Sequence, residues 1–355
     1  VGVTEDVREA WKLVAESPDG YSRGLHAGLQ LASQLNYDAD SVVFIGVGGS
    51  GIVGELIRDI IKSPDSIPLH VVKDFGFTHR LGREALLIAV SYSGETAETL
   101  TASFQSYRPG VKMVAVTSDG TLKATCDELA VPVLHITAGQ QARYAVPEMV
   151  GASFGIISGL GLAGVEPETM RQAVVGLREF VKQFEHLEQN PASEVAEAII
   201  DRPVVVYGHT HLLAAAYRLK TQLNENSKHV SFFSQLPEAC HNEVEALSSD
   251  NRLAHVIMKS RYQPPAISGI VEWMEEEFSR LGLVYRPFAV DSQSHAEEVL
   301  RMVALADFVT VRLAAMKNVN PLKLSRIPEL RSSLRMHNRL KEYVVSRAGQ
   351  LSKHK

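Results

Sequence analysis

The sequence predicts an α/β protein made of two doubly wound parallel sheets with flanking helices, and three observations support this. Short apolar, β-branched runs alternate with helical patterns from about residue 40. The runs are continuous rather than alternating, as expected for strands covered on both faces by helices. A second strand–helix–strand series begins near residue 201, alike in pattern but not in letters, which points to a duplicated architecture rather than a sequence repeat.

The elements can be justified in chain order. VGVTEDVREAWKL reads as an amphipathic helix start, with Thr4 as N-cap and Glu5 and Asp6 favouring its positive end. It carries no signal-peptide pattern, so a cytoplasmic protein is expected. VVFIGVG, LHVV, ALLIAVS, KMVAVTS and VPVLHIT read as strands, with helices at GIVGELIRDIIKS, AETLTASFQSY and LKATCDELA. The uncharged run from Met149 is rich in Gly and Ser and falls short of the ~20 mostly apolar residues that cross a bilayer. Its Gly151, Gly155 and Gly159 recur every four residues and predict a buried helix closely approached by a neighbour, within the chain or across a dimer. Polar, Glu-rich helical sequence fills 166–200; the second series then contains RPVVVYG, HVSFF, AHVIMK, a helix around Gly269–Leu281, and LVYRPFAV. The domain reading is 1–165 with a leading helix, 166–200 as a helical connection, 201–335, and a basic helical tail over 336–355.

The chain has 355 residues, 45% hydrophobic and 22% charged, as in an ordinary globular protein. A net charge of −5 gives no basic field for phosphates of nucleic acid, so neither nucleic acid nor membrane is an expected partner. Cys126 and Cys240 have no C-x-x-C spacing and suit a reducing compartment.

Ligands of open α/β sheets bind at the carboxyl ends of strands near a topological switch point, which directs attention to the loops after VVFIG, LLIAV and VVVYG. Gly46, Gly48 and Gly51 spell G-x-G-x-x-G, a dinucleotide pattern for which Asp74 after LHVV would be the ribose-binding acid; a tight strand-to-helix turn gives the same letters. SYSGETAETL sets Ser91, Ser93 and Thr96 around Gly94 at a helix start, where hydroxyls, free N–H groups and the helix dipole favour phosphate. The same residues also serve a ligand-free N-cap.

GVGGSG followed by SYSGETAET resembles the sugar isomerase (SIS) domain, of flavodoxin-like fold. RLKTQLNENSK (218–228), LPEACHNEVEAL (236–247) and LADFVTVRLAAMKNVNP (305–321) resemble the bifunctional phosphoglucose/phosphomannose isomerases, which carry two such domains; the likeness runs over roughly 40–335. The resemblance implies an aldose–ketose isomerase of glucose 6-phosphate, with mannose 6-phosphate as a second aldose. It implies a place in glycolysis or gluconeogenesis, an enediol route without metal or other cofactor, and a homodimer with a shared active site. It makes Glu243 in HNE the base, with Glu245 the second choice, and expects a partly buried carboxylate. Gly48, Gly49, Ser50, Ser91, Ser93 and Thr96 become the phosphate site, and Arg143 the group near the enediol.

Ring opening falls in that family to a histidine from the partner subunit, for which His255 is the first candidate, His295 another, and His241 a reserve. The family's threonine-proline pair and C-terminal lysine are replaced here by Asn320-Pro321 and by Lys323 or Arg331, which weakens the case for the mannose epimer. Two alternatives stand beside this reading: a non-catalytic sugar-phosphate binder, and a Rossmann oxidoreductase using the first glycine loop and Asp74.

Overall fold

The computed structural model describes residues 4–77, 84–108, 110–250, 252–333, 339, 342–346 and 349. The chain forms two compact units that are discontinuous in sequence: Ser17–Arg171 with Leu324–Lys355, and Val1–Glu16 with Gln172–Lys323. This division differs from the sequence reading, in which the leading helix went with the first domain and the tail stood apart.

The chain opens with α1 (Glu5–Ala15) and α2 (Ser17–Ala32), then alternates β1 (Ser41–Ile45), α3 (Ile52–Ile61), β2 (Leu69–Val72), β3 (Ala85–Val90), α4 (Ala97–Ser106), β4 (Lys112–Thr117), α5 (Gly120–Glu128) and β5 (Val133–His135). The buried α6 (Val146–Gly159) follows, then α7 (Pro167–Val181) and α8 (Pro191–Ile199). The second series contains β6 (Val204–Gly208), α9 (Leu213–Glu225), β7 (Ser231–Gln235), β8 (Ala254–Met258), α10 (Pro265–Arg280), β9 (Val284–Phe288) and α11 (His295–Met316), and α12 (Arg326–Ser333) closes the list.

The five-stranded sheet has order β2-β1-β3-β4-β5 and the four-stranded one β7-β6-β8-β9, and every pairing is parallel. Both follow the flavodoxin-like 2-1-3-4 progression, the second with one strand fewer, whereas a Rossmann sheet runs 3-2-1-4-5-6. The expected fold class is therefore what the structure shows. Burial explains the sequence pattern: β3, β6 and β8 are buried at every residue, while the edge strand β2 is only half-buried.

In the unit built on the first sheet, α6 packs against α2 with almost no side chain between them. A Cβ added at Gly24 would lie 2.1 Å from the Glu148 carbonyl oxygen, at Gly28 2.2 Å from that of Ala152, at Gly151 2.3 Å from that of Tyr21, and at Gly155 2.6 Å from that of Leu25. The neighbour that the glycine spacing predicted is thus α2 of the same chain. Of the expected tail, 342–346 are helical with Val344 fully buried beside Phe104 and Leu129; most of the rest lies outside the described residues.

In the other unit, Thr4 caps α1 by accepting from Val7 N, as predicted, and Trp11 of that helix lies 4.6 Å from Phe308 of α11, centroid to centroid. Phe308 in turn stacks on Phe184 at 4.1 Å, and Trp11 Nε1 donates to the Phe184 carbonyl at 2.8 Å. α9 is tied to α11 by a buried Arg218–Asp307 pair at 2.7 Å. No helix among the described residues is long and apolar enough to cross a membrane.

The glycine contacts give a paired prediction. Gly28→Ala should destabilise by about 1–3 kcal/mol, because the clash is with backbone that cannot rotate away. Gly269→Ala in α10, where an added Cβ meets nothing within 4 Å, should instead stabilise by up to about 1 kcal/mol through helix propensity. Urea unfolding of both variants checks this, and the idea fails if Gly28→Ala is the more stable of the two.

Candidate active site

The crevice outside β1 and β3 is the switch point of the first sheet, since β1 has neighbours on both sides and its successors turn opposite ways. β1 runs into the Gly46–Gly51 loop, which turns back through Gly51 N and Ile52 N donating to Gly48 O; Gly48 has φ +62°, with open space where a side chain would be. α3 starts from Gly51 with no side-chain cap. The buried Ser50 hydroxyl accepts from Tyr92 N at 3.1 Å, tying this loop to the one after β3.

That second loop holds Ser91, Ser93 and Thr96 close together. Ser91 Oγ donates to Thr96 Oγ1 at 3.2 Å, and Ser93 Oγ accepts from Glu95 N at 3.2 Å. Thr96 is the N-cap of α4 by position but makes no side-chain capping bond. Gly94 has φ +66°, and a Cβ there would fall 1.8 Å from the Asp119 carbonyl oxygen, so the loop is pressed against the start of α5. Glu95 braces the same contact by accepting from Thr121 N at 2.7 Å and Thr121 Oγ1 at 2.9 Å.

Arg143 sits in the turn before α6, 2% exposed, with its guanidinium carbon 5.1 Å from the Tyr144 ring centroid. The position of an added Gly49 Cβ is 3.3 Å from Arg143 N, so the first glycine loop meets the Arg143 turn directly. All the residues assigned to the phosphate loops, and Arg143, are thus on one edge of one sheet. The sequence reading missed two supports there. Tyr92 OH donates to Thr137 O and accepts from Gln140 N, and buried Glu148 accepts from Thr137 N and Oγ1. Tyr92 follows the end of β3 in a turn, where there is no periodicity to read, and Glu148 is eleven residues from its partner Thr137.

Glu243 belongs to the other unit, on the short 3₁₀ turn Glu243–Ala246 that follows another at Glu238–His241 after β7. Its Oε1 accepts a 2.5 Å hydrogen bond from the Ser234 hydroxyl near the end of β7. Glu243 is exposed, where the sequence reading expects a partly buried carboxylate. Burial first, and then the Glu243 charge, push the Tyr207 phenol and the Cys240 thiol up from their ordinary values.

His255 requires a correction. It lies near the start of β8, away from the carboxyl edge, 1% exposed, with its ring stacked on Phe278 at 4.4 Å and Nδ1 3.3 Å from Tyr207 OH. Its Nε2 is buried without a hydrogen-bond partner, and desolvation lowers its pKa to about 4. The ring is thus enclosed in the core of its own unit. His241 is exposed, and His295, at the start of α11, packs edge-on against Tyr262 at 4.4 Å.

The switch point of the second sheet is filled by side chains. His209 Nε2 contacts Met258 O at 2.8 Å, and Glu298 Oε2 receives His211 Nε2 and Ser260 Oγ, each at 2.6 Å. Asn320 is consumed locally: its Nδ2 donates to Asp6, and its Oδ1 accepts from Leu322 N and Lys323 N. Lys323 and Arg331 are both exposed and fall in different compact units. Exposed Asp74 accepts from Phe75 N. Among the described residues, no group of His, Cys, Asp and Glu is placed to hold a metal ion.

Residues 35–147 match the SIS domain, and residues 188–334 match the bacterial phospho-glucose isomerase C-terminal SIS domain. A bifunctional phosphoglucose/phosphomannose isomerase of Aquifex aeolicus is 30% identical over 300 residues, spanning 83% of this chain and 91% of that protein. This chain belongs to the same family. Also similar, at 28% identity over 94% of this chain and 98% of the relative, is a D-glucosamine-6-phosphate 4-epimerase of Sulfolobus acidocaldarius. Among solved structures, tagatose-6-phosphate ketose/aldose isomerase of Escherichia coli matches with a TM-score of 0.69 at 14% identity, covering 92% of this chain and 98% of that one. That likeness extends to the fold alone. Family membership and strand order together set aside the Rossmann reading of the glycine loop.

His255 yields a pH prediction. A histidine whose folded pKa lies below its unfolded value of about 6.5 costs nothing above that pH and removes stability as the pH falls toward 4. The loss reaches about 3 kcal/mol from this residue once the pH has fallen to about 4. His255→Asn keeps a partner for Tyr207 and cannot titrate, so its unfolding free energy should fall less steeply than the wild type's between pH 6.5 and 4. Parallel slopes in denaturant titrations would contradict the burial assigned to His255.

Proposed function

We propose that the protein interconverts an aldose 6-phosphate and its ketose, namely glucose 6-phosphate and fructose 6-phosphate, with mannose 6-phosphate as a second aldose. What carries the reading is the Ser91–Thr96 loop. It gathers three hydroxyls around a left-handed glycine at the uncapped start of α4, in a chain of this isomerase family. Hydroxyls and helix N–H groups suit a phosphate dianion. Ser50 and the Gly48–Gly49 backbone extend the same edge.

Glu243 acts as the base. It takes the C2 proton of the open-chain aldose as the C1 carbonyl oxygen gains charge, and returns a proton to C1 as C2 becomes the carbonyl. One carbon is reduced and its neighbour oxidised, so the electrons balance within the substrate and no hydride acceptor is called for. Arg143 offsets the charge that develops on the enediolate oxygen. Ring opening falls to a histidine of a second copy in a homodimer. His241 and His295 are the candidates, since His255 is enclosed in its own core. The two free cysteines are consistent with a cytoplasmic protein.

Purified protein assayed with fructose 6-phosphate, mannose 6-phosphate and glucosamine 6-phosphate tests the reading. Turnover of the first two is expected, and inversion of glucosamine 6-phosphate alone would instead favour the chemistry named for the Sulfolobus relative. Glu243→Gln should abolish isomerisation while retaining substrate binding, because the amide keeps the shape but accepts no proton. Ser93→Ala and Thr96→Ala should raise KM about tenfold or more, each removing a donor to a charged acceptor. Binding with no turnover in the wild type would leave a sugar-phosphate sensor.

A mixing experiment addresses the shared site. Glu243→Gln protein combined with a His241→Ala or His295→Ala protein should regain part of the activity after subunit exchange. Demonstrated exchange without recovery means that the chosen histidine acts within its own chain or not at all.

A further inference from the structure

We infer that Ser234 is a positioning residue for Glu243, holding one carboxylate oxygen fixed and leaving the other free to move the proton. The inference rests on the reading of Glu243 as the base.

The geometry is specific. Ser234 is the fourth residue of β7 and pairs in register with Tyr207 of β6, so its place is set by the sheet rather than by a loop. It is 7% exposed, and its hydroxyl reaches Glu243 Oε1 at 2.5 Å. Glu243 itself stands on a four-residue 3₁₀ turn with no side-chain cap, exposed, on a side chain with three rotatable bonds. Among the described residues Oε2 has no hydrogen bond, and Ser234 is the only donor to the carboxylate. A base that must meet both C2 and C1 needs this arrangement: a carboxylate fixed within a few tenths of an ångström, with one lone-pair face open.

The donor's chemistry matters as much as its position. A lysine or arginine at this place would hold the carboxylate but strip it of basicity, since an adjacent cation favours the charged form strongly. A neutral hydroxyl orients it without placing a cation beside it. Tyr207 on β6 and Cys240 on the preceding turn are held protonated by burial and by the carboxylate charge, so neither competes as a base; His241 and Glu245, two residues to either side of Glu243, stand exposed on the same pair of turns.

The test is the split between kcat and KM for the full chain. Ser234→Ala frees the carboxylate to rotate, so kcat should fall roughly tenfold with KM little changed. Ser234→Thr keeps the hydroxyl, suits a strand, and should hold kcat within about twofold of the wild type. Should the alanine protein lack the native circular dichroism spectrum, Ser234→Cys, of similar volume and weak as a donor, should show the same loss of kcat. A folded donor-deficient variant with kcat within twofold of the wild type overturns the inference, as does a threonine variant no better than the alanine one. If Glu243→Gln retains turnover, the assignment of the base itself fails whatever Ser234 does. A dead Glu243→Gln with an unchanged Ser234→Ala kcat fails the positioning role alone.

Discussion

The first SIS unit depends on two helices meeting backbone to backbone. α2 and α6 can approach this closely only because Gly24, Gly28, Gly151 and Gly155 present no Cβ, and each would otherwise strike a carbonyl or amide of the facing helix. The contact fixes more than helix position. The turn carrying Arg143 enters α6 directly, Glu148 in its first turn anchors Thr137, and Met149 packs within 3.8 Å of the Ser50 hydroxyl. A side chain wedged between the helices would shift that whole rim of the crevice, far from any residue that could touch a ligand.

The same 2-1-3-4 strand order appears twice, yet its two switch points differ. In the first, glycines and hydroxyls leave two helix starts uncapped and an edge open. In the second, side chains occupy the corresponding place: His209 reaches the Met258 carbonyl, and His211 and Ser260 both meet Glu298 Oε2. Duplication therefore supplied a scaffold and not a second copy of the site. The carboxylate assigned to catalysis comes instead from turns beyond the edge strand β7, where its residue is exposed.

The strands were legible because continuous apolar β-branched runs have few other uses in a chain of this composition. The hydroxyl loop after β3 was legible because Gly94 and its hydroxyl neighbours are contiguous in sequence. What escaped depends on pairings between distant segments. The glycine spacing of α6 announced a close neighbour without saying which, because α2 carries its own Gly24 and Gly28 in an unremarkable helix. His255 looked like any histidine beside a strand; only the Phe278 ring from α10 makes it a core residue. Ser234 sits nine residues from Glu243, and nothing in SFFSQ distinguishes its hydroxyl until the turns fold back over it.

The discontinuity of the units has a consequence for the order of folding. Trp11 of α1 precedes its partners by a long stretch of chain: Phe184 lies beyond the whole first sheet, and Phe308 further still. The strands and helices after Ser17 can collapse as soon as they are made, while the indole of α1 has to await residues of its own unit that follow them. α12 is likewise claimed by the unit whose sheet lies earlier in the chain, so each unit closes only across the sequence of the other.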